Sequence, residues 1–372
     1  MEKQRINKGA LRKGAAEALR VVLALAAFTG AYVAALMVSC AVTAEGVELI
    51  TGDFTAPELL TFTTLGAQKI DVGFSEDVRL TGAHITTADG EVFADVDRQG
   101  NLFSGEHQVS LSKNTVAGER YRFSGVAEDT KGNSLSFSVG FSGFNDEVPD
   151  LVLSEVRHDY SKPRAEFIEL YAVTGGNLAG VTLLSAYDGV DRIYEFPPCQ
   201  VEAGEYIVLH YRKIPEEADR CIDETGDDKS LSTATDSSPS RDFWVNNNLA
   251  CLGTSSDVIL LRKRAGGELL DALPYAKSAQ TDWKNENVRK AAQEAYGDGK
   301  GPWPDGSGIG AAFCIDGASY SCTFSRQNIP AIVEDAADGV YEGEHRGRSF
   351  WMVTAAKNFT PGRPNSNVPY TP

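Results

Sequence analysis

The sequence predicts an all-β protein in which two β-sandwich domains follow an N-terminal export signal. Apolar residues alternate with polar ones at Ile70, Val72 and Phe74, which is the pattern of a strand with one buried face. Short stretches of this kind recur along the chain, and clusters of Gly, Asp and Asn separate them as turns do. A charge-free apolar stretch, Val21 to Ser39, follows a basic N-terminus and predicts export before folding.

The end of the apolar stretch predicts how the chain is anchored. Its last residues, MVSC, run from Met37 to Cys40 and resemble a relaxed bacterial lipobox, with Met37 where standard lipoboxes have Leu. The resemblance implies that residues 1–39 are a signal peptide and that Cys40 becomes the lipidated first residue of the mature protein. Several acyl chains on one cysteine hold a protein durably at a membrane. We therefore expect a membrane-anchored protein of the bacterial cell envelope, on the exported side, either periplasmic or at the surface.

The same N-terminal stretch also fits an uncleaved signal anchor. It is longer than the roughly 7–15 apolar residues of an ordinary signal peptide. It approaches the roughly 20 residues that span a bilayer. Both interpretations place the chain after Cys40 outside the cytoplasm and tethered to a membrane.

The net charge argues against nucleic acid as a partner. The chain has 35 basic and 52 acidic residues, and the segment after Cys40 keeps 29 and 50 of them, a net charge of −21. Nucleic-acid binding depends on Lys and Arg that displace counterions from phosphates, and an anionic lipid surface attracts the same residues. We therefore expect no nucleic-acid partner, and we expect the acidic surface to serve mainly solubility.

Five cysteines follow the predicted lipidation site. The sequence has no CxxC pair and no histidine at ligand spacing from a cysteine, so disulfides are favoured over a metal site. Cys314 with Cys322, and Cys199 with Cys221, are close enough in sequence to close short loops. Cys251 is then left over, and we expect it to be buried and reduced.

Residues 45–146 predict the first β-sandwich domain. Two segments of this domain resemble segments of bacterial immunoglobulin-like domains. They are FSEDV, Phe74 to Val78, and AEDTKGN, Ala127 to Asn133. The resemblance covers about 100 residues. It implies an immunoglobulin-like fold and the role of a spacer that lifts a following domain away from the membrane.

Residues 149–372 predict the second β-sandwich domain, and they contain an ordered series of motifs. The series consists of LVLSEV (151–156), EFIELYAV (166–173), AGEYIVL (203–209), LGTSSDVILLRKRAGGELLDALPY (252–275), SRQ (325–327), Trp351 and FTPGRPN (359–365). It resembles the lamin-tail domain, an immunoglobulin-like β-sandwich that also occurs in bacterial exported proteins. The chain departs from the family pattern at Tyr171-Ala172 and at Gly253 to Asp257. In such a fold we expect Trp351 to be a core residue.

Two insertions are predicted within the second domain. Residues 219–241 are polar and rich in Ser and Asp, and they predict a surface loop that is partly disordered. Residues 277–312 predict one short helix, with Thr281 or Asp282 as its N-cap, and then a Gly/Pro-rich loop that presents Trp303. The predicted buried face of the helix consists of Trp283, Val288, Ala291 and Ala295.

The sequence contains no catalytic motif that organises a nucleophile, zinc or a phosphate, since GxSxG, HExxH and the P-loop are all absent. We therefore predict no catalytic residues, no cofactor and no metal. One candidate calcium site remains in the acidic loop, with a solvated acidic loop as the alternative. Its candidate ligands are Asp223, Glu224, Asp227 and Asp228.

The predicted function is that of a lipid-anchored, non-catalytic binding or structural module, in which an immunoglobulin-like spacer displays a lamin-tail-like domain to a protein or glycan partner. The alternative is a periplasmic or surface metal-assisted hydrolase whose site forms only in three dimensions. That alternative requires a compact cluster of perturbed carboxylates or histidines in a deep pocket. DNA binding, by analogy with eukaryotic tail domains, is disfavoured by the negative charge.

Overall fold

The computed structural model of the chain describes residues 53–95, 102–187, 193–246, 252–338 and 345–371. The predicted signal peptide 1–39, Cys40 and Cys251 lie outside the described residues. The chain divides into two compact units, Met1–Thr55 and Ala56–Pro372, and every strand and helix named below belongs to the second. Within the described ranges, no helix has the length and apolar character needed to cross a membrane.

The first β region comprises six strands with an apolar core of their own. The strands are β1 Leu59–Gly66, β2 Lys69–Thr87, β3 Val92–Asp95, β4 Ser104–Ser110, β5 Arg120–Asp129 and β6 Ser134–Ser142. All of their pairings are antiparallel. The main strand order is β1-β2-β5-β6, and β3 and β4 each pair with β2. Ile70, Val72 and Phe74 are buried in the core, as the alternation of residue types predicts.

The long strand β2 connects two groups of strands in this region. Its first part pairs with β1 and β4, and its second part pairs with β3 and β5. The two groups meet through aromatic rings, with 5.7 Å between the ring centres of Phe74 and Phe137 and 5.3 Å between those of Phe62 and Phe141. The core is therefore closed by contacts between rings, which bury large apolar areas.

The turn between β5 and β6 has the predicted chemistry. The Asp129 carboxylate accepts hydrogen bonds from the backbone N–H groups of Lys131, at 2.7 Å, and Asn133, at 2.8 Å. Gly132 has a φ of 91°, which a residue with a side chain rarely adopts. The sequence Asp129 to Asn133 thus reverses the chain through its own local hydrogen bonds.

The second β region contains the remaining described strands. They are β7 Leu151–Arg157, β8 Phe167–Ala172, β9 Gly176–Asn177, β10 Thr182–Ser185, β11 Ile193–Glu195, β12 Gln200–Val201, β13 Tyr206–His210, β14 Arg241–Trp244, β15 Ser256–Arg262, β16 Leu269–Ala276, β17 Phe313–Cys314, β18 Phe324–Arg326 and β19 Trp351–Val353. One sheet has the order β11-β10-β15-β16-β17, another has the order β14-β13-β8-β7-β18-β19, and β12 pairs with β9. The protein is thus mostly β, as predicted.

The two larger sheets share one apolar core. Leu153 and Leu170 of β7 and β8 lie in it together with Leu260 and Leu273 of β15 and β16. Trp351 belongs to the same core, as predicted. Strand β7 is buried along its whole length, and its residue Val152 packs against Ile329 and Ile332 of the helix α2, Ile329–Ala337. The sequence analysis did not predict this helix.

The predicted helix of the first half of the 277–312 insertion is present as α1, Glu286–Tyr296. Its N-cap is Asn285, whose side chain accepts a hydrogen bond from the Val288 N–H at 3.0 Å, so the predicted caps Thr281 and Asp282 were wrong. The predicted buried face is confirmed. Trp303, predicted to be presented by the following loop, is instead fully buried in the core.

Candidate functional site: a buried polar network and a cleft

Two buried carboxyl groups lie side by side in the second β region. Glu155 on β7 is the direct register partner of Glu169 on β8, and neither is exposed to solvent. Burial raises the pKa of Glu155 above its usual value. Burial and then the charge of Glu155 raise the pKa of Glu169 well above its usual value. Two carboxylates that share a site resist ionising together, so the pair favours a state that keeps a proton.

The hydrogen bonds of this pair hold the C-terminal segment against the sheet. Glu155 accepts the backbone N–H of Thr360 at 2.9 Å, and Glu169 accepts the backbone N–H of Gly362 at 2.6 Å. Ser154 donates its hydroxyl to Glu169 at 2.7 Å. The Thr-Pro-Gly segment is therefore fixed by carboxyl groups that two other motifs supply.

Further motif residues complete the same network. The side-chain amide of Asn365 donates to the backbone oxygens of Ser154, at 3.1 Å, and Arg326, at 2.8 Å. Thr323 donates its hydroxyl to Glu155. Buried polar groups persist in proteins when they have partners of this kind. The motifs that are far apart in sequence thus meet as one set of hydrogen bonds.

A buried ion pair links this network to the other sheet. Arg326, which is 1% exposed, pairs with Asp271 of β16. The Arg326 Nε donates to the backbone oxygen of Leu153 at 2.7 Å, and Asp271 accepts the backbone N–H of Leu153 at 2.9 Å. The side chain of Arg326 also lies 5.1 Å from the ring centre of Trp351. This pair positions β7 against β16.

A second group of buried charges surrounds Arg157. Its guanidinium pairs with Asp236 at 2.9 Å and lies between the rings of Phe167 and Phe359, at 4.8 and 4.5 Å from their centres. Aromatic faces attract a guanidinium, especially where water is excluded. This arrangement holds Phe359, the first residue of the FTPGRPN motif, in place.

The histidine near this group is also part of the interior. His210 donates from Nε2 to the Asp242 carboxylate at 3.0 Å and stacks on Trp244 with 3.8 Å between ring centres. His158 is buried against Tyr275, and burial, with the charge of Lys277 adding to it, lowers its pKa to about 4. Both histidines are 1% exposed or less. Both side chains are therefore packed inside the fold.

The acidic loop does not gather the candidate calcium ligands. Glu224 is buried and accepts the backbone N–H groups of Ser232, at 3.0 Å, and Asp242, at 2.9 Å. Asp223 accepts the backbone N–H of Trp244 instead. In the described ranges there is no group of three or more His, Cys, Asp or Glu side chains arranged to hold a metal ion. Glu224 and Asp223 thus bind backbone N–H groups of the loop and of β14.

The insertion at 219–241 is a surface loop for most of its length, as predicted, since residues 222–240 contain no helix or strand and most of them are exposed. The buried Glu224 holds part of this loop, and the last residue of the insertion, Arg241, begins β14, which pairs in parallel with β13. Polar composition predicts a loop, but it does not predict that several polar groups of this loop are buried inside the fold.

The structure differs from the disulfide prediction, because Cys199, Cys221, Cys314 and Cys322 are all free thiols. Cys199 lies in the large core, whereas Cys221 lies in a small separate cluster with Ala165, Ala234 and Trp244. Cys314 is exposed, whereas Cys322 is 1% exposed. The members of each predicted pair therefore occupy different surroundings, and short sequence spacing did not reveal this.

A cleft of 380 Å³ opens where the first β region meets the second. The first region contributes Phe62 to Thr64, Arg120 and Val139 to Asn145, and the second contributes Glu195 and Lys263 to Gly267. This volume lies within the range of small-ligand sites.

Polar contacts join the two regions at the edge of this cleft. Glu195 accepts the hydroxyl of Ser142 at 2.6 Å and pairs with Arg120 at 3.2 Å. Arg264, in the hairpin between β15 and β16, donates from Nη1 to the backbone oxygen of Thr64 at 3.0 Å. The walls of the cleft are thus held together by contacts of the first region with the second.

Arg264 differs from the other two cations of the cleft. Lys263 pairs with the exposed Glu268 at 2.7 Å, and Arg120 pairs with Glu195, but Arg264 forms no ion pair with any residue of the described ranges. Its guanidinium lies 4.1 Å from the ring centre of Phe144. Burial lowers the pKa of Arg264 from its usual value. Among these cations, Arg264 is the one held in position without a carboxylate.

The sequence analysis placed Lys263 to Gly267 in a motif of the second domain, but it gave none of the cleft residues a role in binding. One signal was present: Arg262, Lys263 and Arg264 form a run of three basic residues in a chain with a net charge of −17. The residues of the first region that line the cleft lie far earlier in the chain, and Thr64 precedes its partner Arg264 by 200 positions. Only the folded chain brings them together.

Comparisons with known proteins place the second β region in a family. A protein of Treponema pallidum (strain Nichols), described as uncharacterized, is 35% identical to this chain over 179 residues. The match covers 48% of this chain and 44% of that protein, so the chain matches less than half of the length of this relative. A crystal structure of a DUF4876 family protein from Bacteroides thetaiotaomicron VPI-5482 aligns with 68% of this chain and 84% of that chain, at 11% identity and a TM-score of 0.28.

The family model described as "TP_1001_2nd: protein second domain" matches residues 149–353. The match begins just before β7 and ends at the last residue of β19, so it contains every strand of the second β region. It also contains Glu155, Glu169, Asp271 and Arg326, the charged residues of the buried network. Because the match covers more than half of the 372 residues, the chain belongs to this family.

Proposed function

We propose that this protein is a bacterial envelope protein, lipid-anchored at Cys40 after removal of residues 1–39, that acts as a non-catalytic binding or structural module. In this proposal residues 45–146 are an immunoglobulin-like spacer, and residues 149–372 are a lamin-tail-like domain that meets a protein or glycan partner. The basic and then apolar N-terminus and the MVSC sequence support export and lipidation. The acidic surface supports a partner other than nucleic acid.

The burial of the charged motif residues supports the proposal that the module is non-catalytic. Glu155, Glu169, Asp271 and Arg326 are each 2% exposed or less, and their partners are other groups of the fold. A general acid or a nucleophile must reach the substrate within hydrogen-bond distance. The motif is thus explained by hydrogen bonds inside the fold. In this proposal the partner is recognised by other residues, which lie at the surface.

The spacer part of the proposal is supported by the architecture of the first β region. Its two groups of strands close around an apolar core through the long strand β2, as in a sandwich. Its large buried residues are apolar, which suits a region that supplies length and stability. The cleft where it meets the second β region is the place where a partner would be recognised.

A hydrolase remains the second candidate, because one observation favours it: two adjacent carboxyl groups with raised pKa values resemble the acid and base pairs of hydrolytic enzymes. Full burial of both groups argues against it. The two candidates differ in what the replacement of Glu169 by Gln does. For a non-catalytic module, a screen of ester, phosphoester and glycoside hydrolysis should give the same result for the wild type and for Glu169→Gln, because no turnover depends on Glu169. Turnover that disappears in this variant would establish the hydrolase instead.

The anchoring is tested separately in cells. We expect the wild type to incorporate radiolabelled fatty acid and to partition into detergent, and we expect Cys40→Ala to lose the label and to remain an uncleaved precursor. Cys314→Ala is the matched control, because it removes an exposed thiol from the other end of the chain. Normal processing of Cys40→Ala without lipid would contradict the lipoprotein assignment, and an unprocessed, unlabelled wild type would indicate a signal anchor.

A further inference from the structure

The cleft where the two β regions meet combines three features of a ligand site. It has a volume of 380 Å³, it is lined by three cations, and it has the half-buried aromatic rings of Phe62 and Phe144 in its walls. Glu195 is the acidic residue among its lining residues. In a chain with a net charge of −17, three cations around one cleft form a local reversal of charge.

Arg264 has the geometry of a preformed anion-binding group. Its guanidinium carbon lies 4.1 Å from the centre of the Phe144 ring and its Nη1 donates to the Thr64 oxygen, so two contacts hold the group in place. The remaining N–H groups have no acceptor in the described ranges and are not sealed in the interior. A guanidinium held in this way can bind a carboxylate with two parallel hydrogen bonds.

The other cations of the cleft differ from Arg264 in how they would contribute. Lys263 and Arg120 already pair with Glu268 and Glu195, and both cations keep a substantial exposed fraction. A ligand anion would therefore feel their charge through solvent and would bind to them loosely. Arg264 is expected to supply specificity, and Lys263 is expected to supply attraction that salt weakens.

The size and the walls of the cleft favour a sugar over a peptide strand. An extended peptide would bind by pairing with the free edge of β1, but Arg264 already occupies the Thr64 oxygen at that edge. The backbone at Gly140 and Gly180 lines the cleft without side chains, and a Cβ atom at either position would meet no atom closer than 4.0 Å. This leaves room for a compact ring that lies against Phe62 and offers one carboxylate to Arg264.

We propose that this cleft binds the carboxylate of an acidic saccharide, with Arg264 as the residue that recognises it. This inference rests on the proposed function and deepens it, since it names the ligand class of the binding module. The inference concerns the folded chain and does not depend on lipidation. A failure of the binding experiment therefore leaves the lipid anchor untouched, and a failure of the fatty-acid labelling experiment leaves the binding site untouched.

The test measures binding of three probes to the full chain in detergent micelles by titration calorimetry. The probes are a disaccharide that contains glucuronate, the same disaccharide with its carboxylate reduced to an alcohol, and a peptide of three glutamates. We expect binding of the glucuronate disaccharide and at least about tenfold weaker binding of the other two.

Variants then identify the site. Arg264→Gln should weaken binding of the glucuronate disaccharide by about tenfold or more. Because this change also removes the contact with Thr64, Lys263→Gln serves as a second variant that leaves that contact intact, and it should weaken binding several-fold and reduce its salt dependence. Arg122→Gln is the matched control, since Arg122 is an exposed arginine of β5 that does not line the cleft, and it should bind like the wild type.

Four results would overturn the proposal. They are the absence of binding of the glucuronate disaccharide at about 1 mM, equal binding of the reduced disaccharide, tighter binding of the glutamate peptide, and unchanged binding by both Arg264→Gln and Lys263→Gln. The third result would assign the cleft to an acidic protein segment. The proposed binding module would survive that result with a different partner.

Discussion

The first and the second β region both fold around apolar cores, but they differ in the polar side chains that they bury. In the described part of the first region the buried polar side chains are His107, Thr115, Asp129 and Asn145. The second region buries ion pairs and carboxyl groups throughout, including Arg326 with Asp271. Apolar packing tolerates exchange among residues of similar volume, whereas a buried charge needs its particular partner. The difference indicates that the second region depends on exact residues and the first on residue type.

This contrast accounts for where sequence motifs are found. The motif residues of the second region lie far apart in sequence and meet in one network, as Glu155, Arg326 and Thr360 do. A set of such partners leaves a recognisable ordered pattern along the chain. The first region offers mainly alternation and turns, which many sequences can supply.

The largest effect is expected from breaking the buried ion pair of the second region. Arg326→Ala leaves Asp271 buried without its cation, and the free energy of unfolding should fall by about 3–5 kcal/mol. Urea unfolding of the full chain in detergent micelles, followed by circular dichroism, measures the loss. The control Arg122→Ala removes an exposed arginine of the first region and should stay within about 0.5 kcal/mol of the wild type. Similar losses for both variants would remove the contrast between the regions.

The carboxyl pair predicts a pH dependence of unusual sign. The folded state raises the pKa of Glu155 and of Glu169, so the folded chain binds more protons than the unfolded chain above the ordinary pKa of Glu. Stability from this pair is therefore present at lower pH and is lost as the pH rises toward the raised values. Glu169→Gln resembles the protonated acid and should flatten this dependence, so that its free energy of unfolding falls less between pH 5 and pH 8 than that of the wild type. A wild-type chain that gains stability over this interval, with the same slope in the variant, would contradict the raised pKa values.

A smaller loss is expected where the C-terminal segment is tied to the sheet. Asn365→Ala removes the donor to the backbone oxygens of Ser154 and Arg326, and leaving such acceptors unpaired costs about 1–3 kcal/mol. Hydrogen exchange should show the protection of the Gly362 amide falling with it, because that amide is held by the same network. Unchanged protection at Gly362 would mean that the segment is held by other contacts.

Local patterns in the sequence predicted the local structure well. The alternation at Ile70 to Phe74 and the turn from Asp129 to Asn133 are confirmed, because each depends on neighbouring residues only. The buried face of α1 is also confirmed, whereas its cap was placed wrongly, because several polar residues before the helix satisfy the same rule. The burial of Trp351, which we expected for a residue of the β-sandwich core, is also confirmed.

Features that depend on distant residues were not predictable in this way. The polar insertion before β14 looks like a solvated loop, yet Glu224 is buried because its acceptors serve backbone groups of the same loop and of β14. The cleft requires β1 to lie beside the hairpin at Arg264, and no local pattern encodes that contact. The limits of the two domains, the lipidation at Cys40 and the partner stay predictions.

The smallest effect is expected from trimming one methyl group from each core, and it isolates the source of the contrast. Ile70 in the first region and Ile259 in the second are both buried, at 1% and 0% exposure. Ile70→Val and Ile259→Val should each lower the free energy of unfolding by about 0.5–1.5 kcal/mol, because the two apolar cores are packed in the same manner. Equal losses, measured by the same urea unfolding, would leave the polar network as the difference between the regions. A much larger loss for Ile259→Val would show instead that the apolar core of the second region is itself less tolerant, and the network would then be a consequence of tight packing.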